Sequence, residues 1–205
     1  MTYEEFAARW SELHGGASTH GITGWWLGHS YKAARIASKL RITPNVITVF
    51  GILASVAMAT SVYAAGALCW LLIAFYSDGI DGSTAILQSK ESRLGSLFDS
   101  LADRISEALW MYMGYLIGIP LWMALSLWCI ASTQEYARAR LASLGYTEIG
   151  VITIGERPVR AIFMAILLII FIFAEQLMAP VYWAYFVVTL IAFVQLMISA
   201  RRVLQ

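Results

Sequence analysis

The stretch DGIDGSTAILQSKESRLGSLFDSLAD occupies residues 78–103 and holds four aspartates in two pairs. Asp78 and Asp81 are three residues apart, and Asp99 and Asp103 are four apart. On a helix, either spacing puts both side chains on one face. Gly82 follows the first pair, while Gly95, Asp99 and Asp103 form one stripe. Two helices that meet through small residues and carboxylates offer an all-oxygen donor set, which suits hard divalent cations. All four aspartates are therefore candidate metal ligands. Gly82, Ala85 and Gly95 are candidate nucleotide contacts, because small residues let a ligand approach the backbone closely.

The surrounding composition sets the solvent. The chain has 205 residues, of which 60% are hydrophobic and 13% charged, with a mean hydropathy of +0.69. Soluble domains are about 45–50% apolar and about 25% charged. An all-α integral membrane protein is expected, with the bilayer as its partner and no nucleic acid. The first 24 residues are polar and Gly-rich, unlike a cleavable signal. Cys69 and Cys129 lie in apolar runs, which predicts buried packing and no disulfide framework. His14, His20 and His29 are expected to be solvated and receive no role.

Three segments follow from the patterning. Residues 1–24 predict a short helix and a mobile loop. Residues 25–42 interleave aromatic and apolar residues with Lys32, Arg35 and Lys39, the pattern of an amphipathic interfacial helix. Residues 43–205 predict six spans. Thr43 and Pro44 suit the N-cap and first turn of the first span, Val46–Ala65. The second begins near Ala67 and carries Asp78 and Asp81 at its far end. The third starts near Leu94. Gly118-Ile119-Pro120 turns it into the fourth, which ends in Arg138 and Arg140. The fifth and sixth cover about Val159–Ala174 and Ala179–Ala200. With the N-terminus inside, all 14 Lys and Arg residues fall on the cytoplasmic side. A plasma-membrane protein with its acids at the cytoplasmic face is expected.

The stretch also resembles the CDP-alcohol phosphotransferase pattern D-x2-D-G-x2-A-R-x8-G-x3-D-x3-D. Asp78, Asp81, Gly82, Ala85, Gly95, Asp99 and Asp103 match it at every gap, and Ile86 stands where the pattern has arginine. The stretch TPNVIT resembles a recurring start of the family's first span. The resemblance implies a six-helix membrane domain, a homodimer, and two Mg²⁺ or Mn²⁺ ions. It implies transfer of a phosphatidyl group from CDP-diacylglycerol to an alcohol, with release of CMP. It further implies that Asp78, Asp81 and Asp99 bind metal. The resemblance also implies that Asp103 serves as general base and touches metal, and that Ser92 lies where some members contact the cytidine.

Arginine's planar fork suits phosphate. Arg138, Arg140, Arg157 and Arg160 bracket one loop, and their pairing resembles actinobacterial phosphatidylinositol phosphate synthases, where such residues bind the acceptor's phosphate. Phosphatidylglycerol phosphate synthases also take a phosphorylated alcohol. A phosphorylated polyol acceptor is expected, with inositol phosphate ahead of glycerol phosphate. The family's basic residue in the sixth span is replaced near Leu196. Two rivals remain. Loss of the arginine at Ile86 predicts a weaker grip on donor phosphates and fits a catalytically altered or inactive paralogue. A cation or proton transporter would also use intramembrane carboxylates, but would spread them through the membrane depth.

Overall fold

The structure is a computed structural model that describes residues 1–146 and 153–205, apart from the side chain of Ile22. Among the described residues the regular structure is entirely helical. The helices are α1 (Tyr3–Leu13), α2 (Gly21–Lys39), α3 (Pro44–Ala59), α4 (Ala64–Leu87), α5 (Arg93–Leu116), α6 (Leu121–Ser143), α7 (Arg157–Phe173) and α8 (Met178–Leu204). A 3₁₀ turn, Glu175–Leu177, joins the last two. By length and composition α4 and the continuous stretch Glu175–Leu204 qualify as membrane spans. The pair Thr23–Lys39 and Pro44–Ala59, bent by 111°, adds a third if counted as one.

Local chemistry sets the helix ends. Thr2 and Glu5 form a capping box that starts α1. The helix α3 ends at Ala59, short of the expected Ala65. There the hydroxyls of Thr60 and Ser61 donate to the carbonyls of Val56 and Ala57, in the last turn of the helix. Ser92 precedes α5, and its hydroxyl accepts the Gly95 N–H at 3.0 Å, an N-cap. The expected turn at Gly118 is present, with φ of 113° that favours glycine.

The chain forms two compact units. The first comprises Met1–Ala54 and Ile73–Ser106. Its N-terminal part packs on α4 through Phe6, Leu27, Tyr31 and Ile86, flanked by Trp10 and Leu87. Arg9 pairs with Glu91 at 2.9 Å, and the Gln88 amide donates to the Ile42 carbonyl at 2.7 Å. Trp26 lies so close to Gly79 that any Cβ there would strike its ring. The second unit comprises Ser55–Leu72 and Glu107–Gln205. Its core includes Met123, Leu127, Met164, Leu167 and Leu196. Phe163 stacks on Tyr185 with centroids 4.9 Å apart.

One expectation is corrected. Cys69 and Cys129 are free and exposed, not buried. Apolar neighbours in sequence do not bury a residue here, because these helices are apolar on their outward faces as well. Helix α5 shows the same surface, with Leu94, Leu97, Leu101 and Ile105 all exposed. Exposed apolar area of this extent marks a surface that meets another apolar phase.

Candidate active site

The acids sit where α4 and α5 meet within the first unit. Asp78, Asp99 and Asp103 are each half-buried, and one carboxylate oxygen from each lies within 4.8 Å of the other two. Like charges so close favour a cation between them. The donor set is all oxygen, with no His or Cys in the group, so it fits Mg²⁺ or Mn²⁺ rather than zinc. The i, i+3 and i, i+4 spacings predict four aspartates together, and the structure gathers three of them. Asp81 lies outside that group and is buried. Its Oδ1 accepts the Gly82 N–H at 2.6 Å, and its Oδ2 accepts the Thr48 hydroxyl at 2.6 Å.

The small residues differ in what surrounds them. Gly82 is exposed, and a Cβ there would meet nothing within 4 Å. That leaves open space beside the acids on α4. At Gly95 a Cβ would come 3.1 Å from the Ser92 hydroxyl and 4.0 Å from the Asn45 amide oxygen. Ser92 is exposed and Ala85 half-buried. Ile86 is only 3% exposed and is packed among Phe6, Leu27 and Tyr31. In this chain the arginine position of the pattern belongs to an apolar core.

The second unit carries the arginines, and most are engaged by carboxylates. Arg138 grips Glu156 with both Nη atoms, at 2.7 and 2.5 Å, and its Nη2 also donates to the Thr153 hydroxyl at 3.1 Å. The Arg160 side chain is 3% exposed and that of Glu107 is 4% exposed, and they pair at 2.8 Å. Arg160 also donates to the Gly155 carbonyl at 2.6 Å and to Glu135 at 3.3 Å. Arg157 lies over the Trp110 ring, 5.3 Å from its centroid, and 4.0 Å from Glu107. Arg140 is exposed and donates to Ser143 on its own helix. Leu196, near which the family's basic residue of the sixth span is expected, is fully buried. Residues 147–152 of the loop lie outside the described residues.

The network predicts a pH response. Burial pushes the Glu156 carboxyl up, but hydrogen bonds from Arg138 and from the Thr153 N–H and hydroxyl hold it below its ordinary value of 4.5. A carboxyl whose folded value is depressed stabilises the fold above its unfolded value, and that contribution is lost as pH falls through the folded one. Wild type is expected to have a higher unfolding midpoint than Glu156→Gln at pH 7. The two midpoints should converge as the pH is lowered below about 4. A difference that persists unchanged at low pH would show that charge is not the cause.

The model of the CDP-alcohol phosphatidyltransferases matches residues 41–201, most of the chain and all of the acid site. The chain belongs to the CDP-alcohol phosphatidyltransferase family. It is thereby a phosphatidyltransferase, a transferase of phospholipid biosynthesis. Archaetidylinositol phosphate synthase of Pyrococcus horikoshii is 30% identical over 164 residues, covering 76% of this chain and 86% of that protein. Phosphatidylinositol phosphate synthase of Corynebacterium glutamicum is 32% identical over 143 residues, covering 63% of this chain and 64% of that protein, just under two thirds of its length. The fold is similar to a crystal structure of Mycobacterium tuberculosis phosphatidylinositol phosphate synthase in complex with manganese and citrate. The TM-score is 0.70 at 23% identity, covering 83% of this chain and 88% of that one. A second structure of that synthase, with CDP-DAG bound, gives the same TM-score and covers 92% of its chain.

Within this phosphatidyltransferase the matched region begins at Arg41, so α1 and all of α2 precede it. Two residues of interest escaped the sequence reading. Thr48 had a signal, a hydroxyl near the start of an uncharged span. Glu107 had one too, since it extends the Asp99–Asp103 stripe by four more residues.

Proposed function

We propose that the protein transfers a phosphatidyl group from CDP-diacylglycerol to a phosphorylated polyol and releases CMP. The observation that carries this reading is the group of three carboxylates within 4.8 Å of one another, beside the open space at Gly82. Two Mg²⁺ or Mn²⁺ ions would be held by Asp78, Asp99 and Asp103, with Asp81 as a further ligand. When bound, such ions polarise a pyrophosphate and neutralise charge on its leaving group. Asp103 takes the proton from the acceptor hydroxyl. The new acceptor-oxygen–phosphorus bond then replaces the bond to CMP. Gly82, Ala85, Ser92 and Gly95 border the donor nucleotide. The names of the relatives support inositol phosphate as acceptor ahead of glycerol phosphate. Arg138, Arg140, Arg157 and Arg160 are its proposed phosphate contacts. Arg140 comes first, because Arg138 and Arg160 already hold carboxylates.

In the same reading 43–205 is the catalytic domain, in which α3 to α8 cross the bilayer. Residues 25–42 lie in the interface, and 1–24 precede them on the cytoplasmic side. The site faces the cytoplasm of a plasma-membrane homodimer. The exposed apolar rows of α3 and α5 and the one-sided placement of Lys and Arg support this.

The test is CMP release by protein purified in detergent, given CDP-diacylglycerol and Mg²⁺. Inositol phosphate, glycerol phosphate, inositol and serine are supplied in parallel, with Asp103→Asn as control. Release with inositol phosphate alone, abolished in the control, is the expected result. Release only with an unphosphorylated alcohol would overturn the acceptor assignment. Donor binding with no release from any acceptor would make the chain an inactive paralogue.

A further inference from the structure

We infer that Thr48 is a positioning residue of the acid site, holding the Asp81 carboxylate in the orientation that divalent-metal binding requires. The inference rests on the proposed metal site. Thr48 sits one turn into α3 and is buried, as is Asp81 on α4. Both oxygens of Asp81 are held by protein donors at 2.6 Å, one by the Gly82 N–H and the other by the Thr48 hydroxyl. That hydroxyl also lies 3.2 Å from the Pro44 carbonyl. It has a single proton, and the shorter, charge-assisted contact to the carboxylate is the stronger bond.

Two donors, one on each oxygen, leave the carboxylate no freedom to rotate about its Cβ–Cγ bond without breaking one of them. Each oxygen retains a second lone pair for a further ligand. Carboxylates that ligate metals are typically held in this way by outer partners, whose loss costs about 10–100-fold in metal affinity or activity. The Gly82 donor comes from the adjacent backbone and is present whenever α4 forms. The Thr48 donor comes from another helix, so it ties the carboxylate's orientation to the seating of α3 against α4. A purely structural hydroxyl would need only its own helix, and the Pro44 carbonyl was available for that.

The test measures Mn²⁺ binding to detergent-purified protein by electron paramagnetic resonance, with no substrate present. Thr48→Val removes the hydroxyl and keeps the shape, Thr48→Ser keeps the hydroxyl, and Asp99→Asn serves as control. Thr48→Val is expected to bind Mn²⁺ about 10–100-fold more weakly. Thr48→Ser should stay within about threefold of wild type. The Mn²⁺ concentration for half-maximal CMP release should rise in Thr48→Val and be recovered by excess metal, with kcat largely restored. Thr48→Ala carries the same expectation without placing a methyl against Asp81, should the valine variant not fold. Wild-type Mn²⁺ affinity in a folded hydroxyl-less variant, with affinity lost in Asp99→Asn, would overturn the inference alone. Unchanged affinity in Asp99→Asn as well would overturn the metal site on which it rests.

Discussion

Asp99→Asn is expected to lower CMP release by at least about 100-fold and to abolish the tighter phase of Mn²⁺ binding, while the helical fold survives. The reason lies in the charge balance of the acid group. Three carboxylates with oxygens inside 4.8 Å of one another repel unless a cation sits among them. Asparagine keeps one carbonyl oxygen but loses the negative charge, and with it most of the attraction for a divalent ion. Outer-shell changes already cost about 10–100-fold, so loss of a direct ligand should exceed that range. Without metal the same substitution should be neutral or slightly stabilising, because it relieves repulsion. Unfolding midpoints measured with and without Mn²⁺ therefore check it independently of turnover. Wild type should gain stability from the ion and the variant should not. A variant that is as active and as metal-stabilised as wild type would remove Asp99 from the site.

Ile86→Arg, which restores the arginine of the family pattern, is expected to destabilise the protein and not to improve its grip on the donor. Ile86 is 3% exposed and lies against Phe6, Leu27 and Tyr31, with Trp10 and Leu87 at the edge. These neighbours are all apolar or aromatic side chains. A guanidinium placed there would be an uncompensated buried charge, which costs about 3–5 kcal/mol. The alternative to that cost is displacement of α1, whose Phe6 is fully buried by the same contacts. Ile86→Val, which only removes a methylene, should cost about 0.5–1.5 kcal/mol. Thermal unfolding in detergent separates the two. If Ile86→Arg instead tightened CDP-diacylglycerol binding with no loss of stability, position 86 would be a donor contact after all. The altered charge at this position would then regain its weight for the reaction.

Much of the architecture was legible because helices announce themselves through spacing. The acid pairs at three and four residues, the small residues between them, Ser92 ahead of a helix start and the glycine turn at 118 are all local features. Each depends on residues within a turn or two, so the chain alone carries them. The same holds for the family, whose pattern is a set of fixed gaps along two consecutive helices. The match covering residues 41–201 agrees with that reading.

What stayed hidden depends on which helix faces meet. Four aspartates share the right spacings, yet the oxygens of three of them lie within 4.8 Å of one another, while the fourth, Asp81, accepts from a hydroxyl on α3, 33 residues away in sequence. The pattern predicts a missing charge at Ile86, whereas α1 and α2, both outside the family match, build an apolar pocket around it. The arginines read as open phosphate contacts, whereas Arg138 and Arg160 are bound to Glu156 and Glu107. The cysteines read as buried because their neighbours are apolar, and they are exposed because these helices are apolar on both faces. Spacing along a helix says which side chains share a face. It says nothing about the face opposite, since long-range pairing is set by packing between helices distant in sequence. In α3, α4, α6 and α8 the hydrophobic periodicity that would mark the inner face is weak, so there only the folded arrangement selects the partners.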